Sequence, residues 1–262
     1  MQAVANASTD NLPRRLRPAG PKYKWTVLTN TTLGVLMGAI NSNIVLISLP
    51  AIFGGLKVNP LSPSESGGLL WMLLGYLVVT ATLLVTIGRL SDIWGRVRIY
   101  NARFVIFTAA SICLFLASIL TQGDTGVALL VFFRLVQGVG GGCLIANSAA
   151  LLTDAFPPQQ RGLALGINTV AAIAGGLIGL LVGGVLSAVW WPSVFLVSVP
   201  FGLAGTIWAY VSLREQVVAK VKQSIDLIGN ICLGGGLVLL LVSITYGLQP
   251  YGASNVGWAV RG

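Results

Sequence analysis

An arginine and a glutamine lie one helical turn apart inside an otherwise apolar stretch of the chain. Arg134 and Gln137 fall within residues 127–152, a stretch long enough to cross a bilayer. An arginine at the centre of a membrane helix costs about 2.5 to 3.5 kcal/mol, whereas each Leu or Val contributes only about −0.3 to −0.6 kcal/mol. Arg134 could extend its charge outward to the interface. Alternatively, it could face a polar interior and bind a substrate or a carboxylate, or tune proton transfer.

Among the asparagines inside apolar stretches, Asn41 and Asn43 lie in the first stretch and Asn168 in the fifth. Asn41 shares a stripe of small and polar residues with Gly34 and Gly38, and similar stripes contain Arg134 with Gln137 and Asn168 with several glycines. Such stripes face other helices or a watery cavity, because lipid gains nothing from them. The candidate substrate or cavity residues are therefore Asn41, Asn43, Arg134, Gln137 and Asn168.

Carboxylates are missing from the middle of every apolar stretch. The acidic residues lie in connections, at predicted helix ends or in the N-terminal tail: Asp10, Glu65, Asp92, Asp124, Asp154, Glu215 and Asp226. The chain also has no histidine, which removes the commonest metal ligand and the usual proton carrier near neutral pH. Nothing resembles a nucleophile–base pair or a phosphate loop. We therefore predict no enzyme, no metal and no cofactor.

The composition indicates lipid as the solvent. Hydrophobic residues make up 55% of the chain and charged residues only 9%, against about 25% charged residues in soluble domains. The net charge of +9 does not indicate a nucleic-acid partner, because the basic residues lie between apolar stretches. Seven of these stretches are long enough to span a bilayer: roughly 26–52, 69–87, 101–120, 127–152, 162–186, 192–212 and 227–247. The predicted fold class is an all-α integral membrane protein.

The distribution of Lys and Arg predicts the orientation. Thirteen fall on one side of the predicted topology: five in the tail, then Arg89, Arg96, Arg98, Arg103, Arg161, Arg214, Lys220 and Lys222. Only Lys57 and Arg261 fall on the other side, and Arg134 lies within a span. Because positive loops stay in the cytoplasm, we predict a multi-pass plasma-membrane protein with a cytoplasmic N-terminus.

A charged, glycine-marked turn connects the second and third predicted spans. It has the sequence Gly88-Arg-Leu-Ser-Asp92-Ile-Trp-Gly95-Arg96-Val-Arg98. Glycines permit a tight backbone, and Asp92 could pair with Arg96 or Arg98 or cap a helix. A generic positive loop needs neither the aspartate nor the spaced glycines. The turn resembles the cytoplasmic signature G-x-L-x-D-x-x-G-R-x-R of the major facilitator superfamily.

Further matches follow in the same order along the chain. Arg134-Leu-Val-Gln137-Gly138-Val-Gly-Gly is similar to that superfamily's R-x-x-Q-G-x-G-G motif. The fifth stretch, with Gly175, Gly179, Gly183 and Gly184, resembles the antiporter signature G-x-x-x-G-P-x-x-G-G with Leu180 in place of the proline. Residues 191–202 and 41–50 resemble stretches of the 14-helix drug:proton antiporter family, in which Asn41 stands where that family has an aspartate.

The resemblance implies an architecture and a role for each motif. Residues 1–25 would be a disordered cytoplasmic tail and 26–212 a six-helix bundle of two inverted three-helix repeats. Residues 213–226 would be a cytoplasmic loop, and 227–262 a seventh transmembrane helix with an outer segment. Gly138, Gly175, Gly179, Gly183 and Gly184 would pack or bend helices. The gate would comprise Gly88, Asp92, Gly95, Arg96, Arg98 and Arg161.

The implied function is secondary active transport, namely drug efflux by proton antiport with alternating access. The partners would be the lipid bilayer, a small-molecule substrate, protons if transport is proton-coupled, and a missing C-terminal half on the same longer chain or on a partner. Two alternatives remain open: a truncated membrane protein that does not transport, and a carrier for a nutrient or metabolite. Asn41 cannot carry a proton, so either the proton site lies in the missing half or the coupling differs.

Overall fold

The computed structural model describes residues 22–58, 63–213 and 227–247, and every element in these ranges is an α-helix. The helices are α1 (Tyr23–Leu56), α2 (Pro63–Trp94), α3 (Arg96–Leu120), α4 (Gly123–Ala155), α5 (Pro158–Trp190), α6 (Ser193–Leu196), α7 (Ser198–Ser212) and α8 (Leu227–Gly247). The all-α prediction is confirmed for this part of the chain. Residues 1–21 of the predicted tail, 214–226 of the predicted loop and 248–262 of the predicted outer segment lie outside it.

The helices extend beyond the apolar stretches that predicted them. We expected a connection over residues 88–100, but α2 continues to Trp94 and α3 begins at Arg96. Gly95 alone makes the turn, with a φ of 102° that favours glycine. The prediction that Gly88 belongs to this turn is therefore wrong, since Gly88 lies within α2. Hydropathy marks only the lipid-embedded part of a helix, while charged residues are tolerated where the same helix leaves the hydrocarbon.

The sixth predicted span is interrupted near its start. The short α6 ends at Leu196, and α7 begins two residues later at Ser198. Pro200 explains this position, because it has no N–H to donate to the carbonyl four residues earlier, that of Leu196. Val197 between them keeps helical dihedral angles, φ −54° and ψ −38°. The chain therefore continues in the same direction, and Ser193–Ser212 together are long enough to span a membrane.

Five helical segments in the described ranges are long and apolar enough to cross a bilayer: α1, α3, α4, α5 and the combined Ser193–Ser212. In α2 and α8 the described apolar stretches are shorter, Trp71–Leu84 and Ile231–Leu240. A multi-pass membrane protein follows from these five segments. The count of seven crossings stays a prediction.

Helix packing is reciprocal between the first three and the next three long helices. The main partner of α1 is α5, and the main partner of α2 is α4. If α1, α2 and α3 form one triplet and α4, α5 and the segment α6–α7 form the next, the first helix of each triplet packs on the second helix of the other. A two-fold relation between the triplets would produce this pattern. The α7 helix packs against α3 and α1, and α8 contacts α2, where Gly234 lies close to Thr82.

The bundle buries a set of polar side chains among its apolar core residues, and its outer surface is apolar, as lipid requires. Val189 is 80% exposed and Leu181 is 73% exposed, whereas Asn41 and Gln137 have no exposed surface. In water this outer surface would be costly, but in hydrocarbon it carries no penalty. In lipid, apolar surface does not drive the helices together, so close packing and buried polar contacts contribute to their association.

Glycines bring α1 and α5 into backbone contact. A Cβ added at Gly175 would lie 2.8 Å from the Leu36 carbonyl oxygen, and one at Gly179 would lie 2.6 Å from that of Ile40. Gly183 likewise lies against Ile44. Gly184 differs from the predicted packing set, because a Cβ there would meet nothing within 4 Å. The structure therefore does not bring Gly184 to this interface.

The pair Gly179 and Gly184 offers a matched test of this packing. We expect Gly179→Ala to destabilise the bundle by about 1–3 kcal/mol, since its methyl group would overlap backbone that cannot move aside alone. Gly184→Ala should instead stabilise by up to about 1 kcal/mol through higher helix propensity. Thermal unfolding in detergent, followed by tryptophan fluorescence, measures both changes. Equal effects of the two variants would contradict the α1–α5 contact described here.

Candidate functional site

A fully buried polar network lies at the centre of the bundle and includes three of the predicted cavity residues. Arg134 Nη1 donates a hydrogen bond to Gln137 Oε1 one turn along α4. Asn41 Nδ2 on α1 donates to the same oxygen at 3.2 Å. The three side chains are at most 1% exposed. The glutamine carboxamide thus connects the cation on α4 to the amide on α1.

Two serines that the sequence did not single out complete this network. Gln137 Nε2 donates to Ser111 Oγ on α3 at 2.8 Å, and Ser198 Oγ on α7 donates to Asn41 Oδ1 at 3.3 Å. Both serines are buried. A lone serine in an apolar helix usually bonds its own backbone, so neither position carried a sequence signal of its own. Four helices, α1, α3, α4 and α7, therefore meet at one set of hydrogen bonds.

Neutral groups surround the Arg134 guanidinium. Its Cζ lies 5.0 Å from the centre of the Tyr76 ring on α2, within the range of a cation–π interaction. Its Nε has no hydrogen-bond partner among the described residues. Burying a guanidinium without a carboxylate is expensive, so each remaining hydrogen bond to it contributes more than a bond between neutral groups. The Arg134 guanidinium can therefore bind a further hydrogen-bond acceptor or a negatively charged group.

The other two predicted cavity residues lie at the α1–α5 interface and not in this network. Asn168 Oδ1 accepts a hydrogen bond from Thr32 Oγ1 at 2.8 Å. Asn43 Nδ2 donates to the Ala39 carbonyl of its own helix at 2.9 Å, and its side chain lies beside Gly176 and Gly179. Both residues therefore have partners that account for their polarity without a substrate.

A second polar cluster lies at the end of the bundle where α2 meets α3. Arg96 Nη1 forms an ion pair with Asp154 Oδ2 at 2.7 Å. Arg96 stands at the N-terminus of α3 and Asp154 near the C-terminus of α4. Each charge is disfavoured by the dipole of its own helix, so the two charges compensate each other. Asp154 was not a predicted gate residue, because it is separated from the motif by 58 positions along the chain.

The remaining predicted gate residues are dispersed in the structure. Arg98 is exposed on α3. Arg161 is exposed on α5, and its Nε donates to the Phe156 carbonyl at 3.2 Å in the α4–α5 connection. The side chain of Asp92 lies outside the described part of the structure. The described contacts thus connect the motif to α4 through Arg96 and Asp154.

Arg103 does not lie where the sequence predicted it. We counted it among the loop residues of one side, but it is 1% exposed inside the bundle, two turns into α3. Its guanidinium carbon lies 3.8 Å from the centre of the Tyr100 ring and 3.9 Å from that of Phe104. Gly34 on α1 leaves the space that the guanidinium fills. The count of Lys and Arg that lie on that side, outside the predicted spans, therefore falls from thirteen to twelve.

The Major Facilitator Superfamily model matches residues 31–258 of this sequence, nearly the whole chain. The chain belongs to the major facilitator superfamily. Its members are membrane transporters and not enzymes, in agreement with the sequence prediction. The bundle of long helices with an apolar exterior and a polar centre is consistent with this assignment.

Two curated relatives of the superfamily have the same level of identity. The riboflavin transporter RibZ of Clostridioides difficile is 31% identical over 225 residues, which are 85% of this chain and 46% of that protein. The tetracenomycin C resistance and export protein of Streptomyces glaucescens is 31% identical over 218 residues, covering 83% of this chain and 38% of that protein. The chain thus spans less than half the length of these relatives.

A solved structure in the superfamily has the same fold. The xylose transporter XylE from E. coli, in a partially occluded inward open conformation, superimposes with a TM-score of 0.66 at 17% sequence identity. The alignment covers 86% of this chain and 60% of that one. At this identity the likeness concerns the fold alone.

Substitution of Gln137 tests whether the buried network is held together by the glutamine. We expect Gln137→Leu to destabilise the bundle by about 2–4 kcal/mol, because it leaves the buried Arg134 charge and the Asn41 amide without their shared partner. Ser111→Ala, which removes one hydrogen bond between neutral groups, should cost only about 1 kcal/mol. Thermal unfolding of the two variants in detergent gives the comparison. A smaller loss for Gln137→Leu than for Ser111→Ala would refute the central role of Gln137.

Proposed function

We propose that this chain supplies the first half of a secondary active transporter that exports small organic molecules, drugs among them, by proton antiport. The observation that carries the proposal is the buried network of Arg134, Gln137 and Asn41 inside a bundle whose outer surface is apolar. Folding in lipid does not require a cation at that depth, whereas a solute pathway uses one. The tetracenomycin C export relative supports efflux as the direction of transport.

Transport by this mechanism needs a second half. Alternating access moves one half of such a carrier against the other, with the substrate held between them near the midplane. This chain covers 46% of the riboflavin transporter RibZ and 38% of the tetracenomycin C export protein. In our proposal residues 26–212 form a six-helix half and 227–262 begin a connection, and the second half comes from the same longer chain or from a partner.

Proton coupling places a condition on the second half. Asn41 has no titratable proton, and both atoms of its carboxamide are engaged, with Gln137 and with Ser198. The acidic residues of the sequence lie away from the middle of the spans. In our proposal the group that exchanges protons within the membrane therefore belongs to the second half, and this half contributes the hydrogen-bonded Arg134 centre.

The orientation that we propose keeps the N-terminus in the cytoplasm of a plasma-membrane protein. Twelve Lys and Arg outside the spans still stand on one side of the topology, with Lys57 and Arg261 on the other. This asymmetry survives the removal of Arg103 from the count and remains the pattern of the positive-inside rule. The Arg96–Asp154 pair then lies at the cytoplasmic end, where a gate would close the outward-facing state.

Reconstitution of the full-length product of this reading frame in proteoliposomes tests the transport proposal. We expect a fluorescent drug to be transported several times faster when a proton gradient is imposed than when none is imposed. In antiport, protons that move down their gradient drive the drug in the opposite direction. Transport that is independent of the gradient would contradict antiport. Riboflavin in the same assay tests the metabolite alternative, which the equally similar RibZ relative favours. Movement of no tested solute would favour a membrane protein that does not transport.

Variants of the Arg96–Asp154 pair test the proposed gate separately from stability. The two side chains are each 24% exposed, so Asp154→Asn should change stability by no more than about 1 kcal/mol. Transport by the same variant should fall several-fold, since the ion pair that connects α3 to α4 at this end would be lost. Exchange of the two charges, Arg96→Asp with Asp154→Arg, should restore part of the transport rate.

Asp124→Asn is the control for the gate variants, because Asp124 is exposed in the first turn of the same helix at its opposite end. It should leave transport unchanged. Equal losses for Asp124→Asn and Asp154→Asn would show that helix charge in general, and not the ion pair, affects the rate.

A further inference from the structure

A second buried guanidinium, that of Arg103, has no assigned role in the network around Arg134. None of its three nitrogens makes a hydrogen bond among the described residues, although the residue is only 1% exposed. Its two neighbouring rings, Tyr100 and Phe104, meet edge to face at 84° and cover the guanidinium carbon. Aromatic faces attract a cation, but they do not satisfy N–H groups that point along the guanidinium plane.

Further unpaired polar groups occur on the helix face that Arg103 contacts. The guanidinium lies against Gly34 of α1, and Asn30 stands one turn earlier on the same face of that helix. Asn30 is fully buried, and neither atom of its carboxamide has a hydrogen-bond partner among the described residues. The Tyr100 hydroxyl donates to the Asn30 backbone carbonyl at 3.1 Å, which connects the ring beside Arg103 to this residue. The cluster therefore contains more unpaired N–H donors than acceptors.

Neither carboxylate that the structure describes, Asp124 or Asp154, is a partner of Arg103. The acidic residues of the sequence stand at helix ends, in connections or in the tail. Arg103 lies two turns inside α3, and its other ionisable neighbours are the Tyr100 hydroxyl and the Cys143 thiol, which are neutral when protonated. An isolated buried cation without a partner is strongly destabilising. Among the described residues nothing balances the Arg103 charge, so an anion bound at its N–H groups would stabilise the fold.

We propose that the N–H edge of Arg103, together with the Asn30 amide, binds a small anion, either a halide or a carboxylate group. The two rings and the Gly34 backbone pack closely around the guanidinium, so the ligand must be small to reach its N–H groups. Bulky anions are excluded by the same surroundings. A bound anion neutralises Arg103 and connects α3 to α1 at this level, independently of the transport proposal. The site lies about 10 Å from the Arg134 network, because Gly34 and Asn41 are seven residues apart on α1.

Thermal unfolding of the purified full chain in detergent tests the site. Chloride, bromide or acetate is titrated at constant ionic strength against gluconate, a bulky anion that the pocket excludes. We expect the unfolding midpoint to rise by about 2 to 5 °C and to saturate, since a ligand that binds only the folded state stabilises it in proportion to its occupancy. A response to halides alone identifies an inorganic ligand, and an equal response to acetate identifies a carboxylate site.

Variants of the three arginines assign the response to one residue. Arg103→Met keeps the long side chain but removes the charge, so the anion response should disappear. Arg103→Lys keeps the charge but loses the planar fork, so the response should weaken. Arg98→Met, an exposed position on the same helix, and Arg134→Met in the other network should both keep the full response. An undiminished response in Arg103→Met, or its loss in Arg134→Met, would overturn the proposal.

Direct binding to the unmodified chain keeps the test decisive if Arg103→Met does not fold. Radioactive chloride should bind saturably, with displacement by bromide and none by gluconate. An absence of saturable binding up to about 0.1 M chloride, together with no response to acetate, would show that no anion occupies the site and would refute the inference.

Discussion

The desolvation of the Arg134 guanidinium is the interaction on which the centre of this bundle depends. A cation at this depth requires hydrogen-bond acceptors, and Gln137 is the acceptor among the described residues of its own helix. The glutamine must itself be held in place, which requires Asn41 from α1 and Ser111 from α3. Asn41 in turn accepts a hydrogen bond from Ser198 on α7. The positions of four helices thus follow from the need to satisfy one charge and its nearest amide.

Close helix contact makes this arrangement possible. Gly138 on α4 lies against the backbone of α2 at Tyr76, and Gly179 on α5 lies against α1 at Ile40. These contacts bring backbones together without side chains between them, and they recur in both reciprocal helix pairs. Association of helices in lipid relies on such packing, because no hydrophobic force drives one apolar helix toward another. Helices packed in this way can move together as one body.

The sequence predicts those parts of the fold that depend on local patterns, namely hydropathy and helical periodicity. Long apolar stretches predicted the helices, and helical spacing placed Asn41, Gln137 and Arg134 on inward faces. The contributions of Ser111, Ser198 and Asp154 depend on which helices become neighbours, and no local pattern carries that information. Arg103 was misplaced because a charged residue near a predicted boundary resembles a loop residue, while its burial depends on Gly34 in a different helix. Helix ends were also misjudged, since several of the apolar stretches end before the helices that contain them.

A double-mutant cycle between Arg134 and Gln137 tests the central claim most directly. The cycle compares Arg134→Met, Gln137→Leu and the double variant by thermal unfolding in detergent. If the glutamine serves to satisfy the buried cation, removing both should be less destabilising than removing the glutamine alone, because the apolar pair leaves no unpaired charge. The account therefore predicts that the double variant unfolds at a higher temperature than Gln137→Leu. Additive losses, with the double variant the least stable, would contradict it.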